Sequence, residues 1–273
     1  MKTAEIPHDR LRRVSSRSNA LVKALRQAAT RGDASDDGLV ALEGVRLVEE
    51  ALRSGLRLRA IFFRESAAAV AKRLLPQISA KTEALMLPDE VFASASGTEN
   101  PQGVAALAEP HKSSLDEMLK SDAPLIIAAA GIQDPGNLGT LLRSAEAFGA
   151  SGALLLEGTV SLFNAKVLRA AAGSLFRLPV VAMKANEAFA ALRQRQVRLL
   201  TTSSHKGTPL PESDLKGALC ILVGNEGAGV PRQIADAVDA TVVIPHASKV
   251  ESLNAGVAAS IVLYEAAKQR GFS

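Results

Sequence analysis

The chain has 273 residues, of which 47% are hydrophobic and 22% charged, with a formal net charge of +4. This describes a globular protein of one large or two ordinary domains, with enough apolar material for a core. No apolar run is long enough to span a membrane, the basic N-terminus is not a secretory signal, and the single cysteine, Cys220, excludes an intrachain disulfide and a multi-cysteine metal site. Cys220 lies in the apolar run Ala218-Leu-Cys-Ile-Leu-Val223 and reads as a buried thiol of a cytoplasmic protein.

Positive charge is concentrated early. Lys2, Arg10, Arg12, Arg13, Arg17, Lys23 and Arg26 face only Glu5 and Asp9, and Arg53, Arg57 and Arg59 follow. Such clusters supply sequence-independent phosphate contacts, although any one of them also fits a solvated face. Aromatic residues make up 3% of the chain and tryptophan is absent, so an extended base-stacking platform is not expected.

In chain order, residues 1–14 read as a flexible basic arm. Ser16 or Ser18 opens a helix through Leu21, Val22, Leu25 and Ala28. Strands at 39–42, 59–63, 84–87 and 103–107 alternate with helices at 45–52, 67–75 and 88–94. The alternation predicts a small α/β domain over 15–108, followed by a polar linker over 109–123 that continues into a short helix. Near-continuous apolar strands at 124–130, 153–156, 197–201, 219–223 and 241–244 then alternate with periodic helices. That pattern predicts a parallel sheet covered on both faces over 124–270, with ligands bound beyond the carboxyl ends of its strands.

Distinctive polar residues fall at those ends. In Asp134-Pro-Gly-Asn-Leu-Gly-Thr-Leu-Leu-Arg-Ser-Ala-Glu-Ala-Phe-Gly149, Asn137 reads as an N-cap and Gly149 as a stop. Arg143 lies off the apolar face and fits either a phosphate contact or a surface arginine. In Leu222-Val-Gly-Asn-Glu-Gly-Ala-Gly-Val-Pro231, a strand runs into a glycine-rich turn that carries Glu226. This is neither a P-loop nor a dinucleotide fingerprint. Thr201-Thr-Ser-Ser-His205 closes a third strand. After Ile244-Pro, Ser252 and Asn254 mark the start of a helix, where Ser252 reads as a cap or a ligand group. Val257, Ile261 and Tyr264 are expected on its buried face.

Taken together, Asn137 with Arg143, Gly224 with Glu226, and Ile244-Pro with Ser252-Leu-Asn254 resemble the three motifs of the SpoU (TrmH-like) RNA ribose methyltransferases, a branch of the SPOUT superfamily. The resemblance covers about 124–270. Residues 164–179 are similar to the family's intervening segment. Ser18-Asn-Ala-Leu-Val-Lys23 and Leu42-Glu-Gly-Val-Arg-Leu47 are similar to its ribosomal-protein-like substrate-binding domain.

The resemblance implies an α/β fold in which a smaller RNA-binding domain precedes a parallel-sheet SPOUT domain with a deep trefoil knot. It implies a homodimer with sites at the subunit interface and S-adenosyl-L-methionine as cofactor. The implied reaction is methylation of a ribose 2′-hydroxyl in structured RNA, ribosomal before transfer RNA. A non-catalytic RNA-binding protein that retains the fold is the alternative. By motif matching, Asn137, Arg143, Glu226, Ser252 and Asn254 form the catalytic site, and Thr202, Gly224, Ile244 and Leu253 meet the cofactor. No metal or membrane role is expected. The chain departs from the family pattern at His246, Ser248 and Ala255-Gly256, where the family has Met, Gly and Val-Ser. His246 reads as a hydrogen-bonded structural residue or as a group that tunes the pH profile.

Overall fold

The computed structural model describes residues 10–98, 101–225, 227 and 229–271. The chain forms two compact units. One runs to His111 and also takes in Ser161–Phe176; the other comprises Lys112–Val160 and everything from Arg177 onward. Among the described residues no helix is long and apolar enough to cross a membrane.

The first unit is a mixed five-stranded sheet in the order β1-β4-β3-β5-β2, built from β1 (Leu11–Arg13), β2 (Val40–Glu43), β3 (Leu58–Arg64), β4 (Glu83–Leu87) and β5 (Val104–Ala108). The first four strands run the same way and β5 runs against β2 and β3. Alternate β3 residues face opposite layers, as the strand period of two requires. Ala60 and Phe62 enter a core with Val22 and Leu25 of α1 (Ala20–Arg31) and Val91 and Phe92 of α4 (Asp89–Ala95). α2 (Val45–Arg53) and α3 (Ala68–Leu74) lie along β5 and β3.

Two expectations change here. Leu11–Arg13 is an edge strand paired with β4 and not part of a free arm; residues 1–9 lie outside the described residues. The first helix is capped by Asn19 and not by Ser16 or Ser18. The Asn19 side chain accepts from the backbone N–H groups of Leu21 and Val22. The segment 161–176 also changes domain. Its helix α7 (Ala165–Ala170) packs on β2, and Phe163 and Leu168 share a small cavity with Ala28 and Leu47.

The second unit is an all-parallel seven-stranded sheet in the order β10-β12-β9-β11-β6-β7-β8. Its strands are β6 (Leu125–Ala130), β7 (Gly152–Leu155), β8 (Val180–Ala182), β9 (Arg198–Ser203), β10 (Thr208–Pro209), β11 (Leu219–Gly224) and β12 (Ala240–Val243). β6, β7 and β11 are buried along their whole length, which is why they read as continuous apolar runs.

One face packs Ile126, Ala128, Cys220 and Leu222 against Met118 of α5 (Leu115–Met118) and Phe189 and Leu192 of α8 (Ala185–Gln194). The other face carries α6 (Pro135–Ala147) and α10 (Ala255–Gln269), which pack against each other. The remaining helix is α9 (Arg232–Ala235).

Burial pushes the Cys220 thiol up to about 12, so it stays a neutral core group at physiological pH. The native protein is expected to be inert to an aromatic disulfide reagent at pH 8 and to release one equivalent of product once unfolded in urea. Rapid reaction of the native protein would contradict this burial.

Candidate active site

The ends of β9, β11 and β12 open onto one cavity of about 730 Å³, whose wall is completed by the residues leading into α10. This size suits a nucleoside-sized ligand. Its position beyond the carboxyl edge follows from the strand order: the chain passes from β8 across the sheet to β9, and β11 inserts between β9 and β6.

Each wall has a local cause. At the end of β9, the Ser203 hydroxyl accepts from the backbone N–H groups of His205 and Lys206, turning the chain away. Thr202 donates its hydroxyl to the Leu222 carbonyl at 3.3 Å, a bond within the sheet. Its neighbour Thr201 is 4% exposed, and its hydroxyl has no hydrogen-bond partner among the described residues. Such an orphan is uncommon and costly in a native core.

At the end of β11, Gly224 is required by space. A Cβ there would lie 2.2 Å from the Gly229 carbonyl carbon and 2.3 Å from the Val230 nitrogen. The turn that presses on it is a narrow loop in which Asn225 and Gly229 exchange backbone bonds of 3.1 and 2.8 Å, and Gly229 takes the left-handed φ of 65°. Glu226, expected to face the site from this loop, lies outside the described residues. At the end of β12, the His246 ring donates from Nδ1 to the Ile244 carbonyl at 2.7 Å, since a carbonyl only accepts. The neutral ring therefore keeps an acceptor at Nε2, and the structural reading of His246 has a concrete partner.

Beside the cavity, two helices begin together. Pro135 occupies the first turn of α6, and Asp134 caps it by accepting from the Asn137 backbone N–H at 2.8 Å. The expected cap role of Asn137 is thus taken by Asp134, as an acid before a proline at N1 favours. Asn137 is 8% exposed, and its side-chain oxygen accepts from Asn254 Nδ2 at 2.8 Å. Asn254 is the N-cap of α10, accepting from the Val257 N–H at 3.2 Å. That bond fixes which end of the Asn254 amide is oxygen, so its NH2 must point at Asn137. Ser252 makes no capping bond among the described residues and is exposed on the cavity wall.

From this junction α6 and α10 run side by side in the same direction. Gly256 sits against Thr140, where a Cβ would come within 3.0 Å. Ser144 and Ser260 share a hydroxyl bond of 2.7 Å, and the Phe148 and Tyr264 rings meet edge-on at 5.7 Å. The buried face of α10 is Ala255, Gly256, Ala259, Val262, Leu263, Ala266 and Ala267. The expectation is therefore reversed for Val257 and Tyr264, while Ile261 is half-buried. Val257 and Tyr264 are 46% and 55% exposed, because small residues take the close-packed face and leave the bulky ones outside.

Gly224, Ile244, Ser252, Leu253 and Thr202 thus line one cavity, and Asn137 and Asn254 meet at its margin. Arg143 is the exception. It is exposed on the outer stripe of α6 between Thr140 and Ala147, is not among the residues lining the cavity, and has no hydrogen bond or ion pair among the described residues.

The SpoU rRNA methylase family model matches residues 124–264, and the MRM3-like substrate binding domain model matches 19–106. The chain belongs to the SpoU rRNA methylase family. It is 31% identical over 254 residues to the 23S rRNA (guanosine(2553)-2′-O)-methyltransferase RlmP of Bacillus subtilis, covering 93% of this chain and 98% of that one. Among solved structures, the SpoU methyltransferase AviRb from Streptomyces viridochromogenes in complex with AdoMet superposes with a TM-score of 0.82 at 27% identity, covering 92% of this chain and 98% of that one. An AdoMet-bound rRNA methyltransferase from Sinorhizobium meliloti gives 0.79 at 28% identity, covering 95% and 98%.

The Asn137–Asn254 bond is open to a direct energetic test. Asn137→Ala and Asn254→Ala are each expected to lower stability by about 1–2 kcal/mol, with a coupling above about 0.5 kcal/mol in the double variant. Urea midpoints measure all three; strictly additive losses would show that the two amides act separately.

Proposed function

We propose that this chain transfers a methyl group from S-adenosyl-L-methionine to a ribose 2′-hydroxyl of ribosomal RNA, as a cytoplasmic homodimer whose site is completed by the second copy. The observation that supports this reading is that Thr202, Gly224, Ile244, Ser252 and Leu253 line one cavity at the carboxyl ends of β9, β11 and β12.

The cavity fits the cofactor on its own evidence. Its volume suits a nucleoside with a short tail, Gly224 brings bare backbone to its wall, and the orphaned Thr201 hydroxyl lies in that wall. In this reading the backbone at Gly224, Ile244 and Leu253 holds the adenine and ribose. Thr202, already bonded within the sheet, shapes the wall. When bound, the cofactor supplies a methyl on a sulfonium, which is a good leaving group.

The protein's tasks are alignment and electrostatics. Ser252 and Asn254 hold the mouth of the cavity, and the Asn137 amide fixes Asn254. A guanidinium offers donors and no acceptor, so Arg143 clamps the phosphate beside the target ribose and favours negative charge on the 2′-oxygen; it does not abstract the proton. Glu226 is assigned to orienting these groups.

Arg143 also argues for the dimer. It is exposed and not among the residues lining its own cavity, on a helix packed beside α10 with its exposed Val257 and Tyr264. A second copy laid across α6 and α10 covers that apolar stripe and receives Arg143 at its own cavity. The trefoil knot belongs to the same reading. After the outlying strand β12, the chain forms the cavity wall and returns as α10 to pack on central β11 and on α6.

The test incubates the protein and labelled cofactor with ribosomal and transfer RNA and maps the methyl. Transfer to a ribose of ribosomal RNA is expected, with Arg143→Ala at least about a hundredfold slower and its melting temperature unchanged. Methylation of transfer RNA alone, or full activity of Arg143→Ala, would overturn the substrate or the site assignment respectively.

A further inference from the structure

The early arginines and lysines look alike in sequence, but the structure divides them. Most are engaged locally. Arg10 donates to the carbonyls of Ile78 and Ser79, and Arg26 to that of Ser94. Arg12 and Arg59 share Glu83, Arg57 pairs with Glu109, Arg53 with Glu50, and Arg64 with Asp89. Arg13, Arg17 and Lys23 are different. All three are exposed and have no hydrogen bond or ion pair among the described residues.

These three also belong to one corner of the fold. Arg13 is the last residue of edge strand β1, and Val14 still donates to the Met86 carbonyl. Ser16 and Ser18 then share a hydroxyl bond of 2.6 Å in the turn that carries Arg17. Asn19 caps α1, and Lys23 donates its N–H to the Asn19 carbonyl, one turn into the helix. No acidic residue lies in the first turn of this 12-residue helix, so the positive end of its dipole adds to the three charges. The nearest carboxylates of the neighbouring strand and helix starts, Glu83 and Asp89, are neutralised by arginines, which leaves exposed Glu90 in the first turn of α4.

We propose that the β1–α1 corner, through Arg13, Arg17 and Lys23 with the hydroxyls of Ser16 and Ser18, is the surface on which the first unit grips the phosphate backbone of the RNA substrate. Arg53, Arg57 and Arg59 have no part in it. Unpaired cations supply counterion release on binding, whereas cations already matched to carboxylates contribute little. The scarcity of aromatic side chains leaves phosphate contact as the main source of affinity here. This inference rests on the ribosomal RNA reading above.

The test measures binding of protein-free ribosomal RNA by the full-length protein across a salt series. Substituting Arg13, Arg17 and Lys23 with alanine together is expected to make the log-affinity against log-salt slope shallower by about 2–3, from roughly 0.7–0.9 per lost phosphate contact. The matched control, Arg53→Ala, Arg57→Ala and Arg59→Ala combined, is expected to leave the slope within about half of one contact. Equal changes in both variants, or none in the first, would overturn the assignment. Cofactor binding by the triple variant, read by calorimetry, is expected to be unchanged. If the wild-type protein transfers no methyl yet the slopes differ as stated, the substrate reading fails and the surface stands.

Discussion

A side-chain hydrogen bond joins the starts of two helices that are far apart in sequence. Asn254 Nδ2 donates to Asn137 Oδ1 at 2.8 Å, and each asparagine belongs to a helix start that is separately capped. In the proposed site, the placement of the motif residues depends on this junction. It sets the register of the parallel α6–α10 pair, continued by Gly256 against Thr140, Ser144 with Ser260 and Phe148 on Tyr264. It also holds the segment from Ile244 to Leu253 across the ends of the strands as the fourth wall of the cavity. Because the bond is buried on the Asn137 side, its loss is not simply replaced by a bond to water.

The packing that makes the junction possible also decides which residues of α10 face outward. Close approach of two helices requires small residues on the shared face, and α10 supplies Ala255, Gly256 and Ala259 there. Its bulky side chains Val257 and Tyr264 are then displaced outward, and Arg143, likewise exposed, is not among the residues lining the cavity. The same constraint therefore explains the exposed apolar stripe and the separation of Arg143 from the other motif residues. In the proposed dimer, a second copy resolves both.

Much of this was legible in the sequence, for physical reasons that differ by element. The strands of the parallel sheet announced themselves because β6 and β11 are buried on both faces, and the motif residues were found because they stand at strand ends. β8 and β10 were missed, since three and two residues carry too little pattern. The outward face of α10 was misassigned because a helix that is apolar all round gives no moment to say which side is buried. The pairing of the early arginines was invisible because their partners lie far along the chain: Glu83 for Arg12 and Glu109 for Arg57. The attachment of 161–176 to the first unit has the same origin, in contacts that no local signal records.

The central claim is that each active site combines the cavity of one protomer with Arg143 of the other. Mixed dimers of an Arg143→Ala protomer and an Asn254→Ala protomer test it most directly, each parent being inactive alone. The account predicts that random mixing restores about one quarter of wild-type methyl transfer, because half of the dimers are mixed and each mixed dimer of two-fold symmetry rebuilds one of its two sites. No recovery in verified mixed dimers would place Arg143 and the cavity in the same chain and contradict the account.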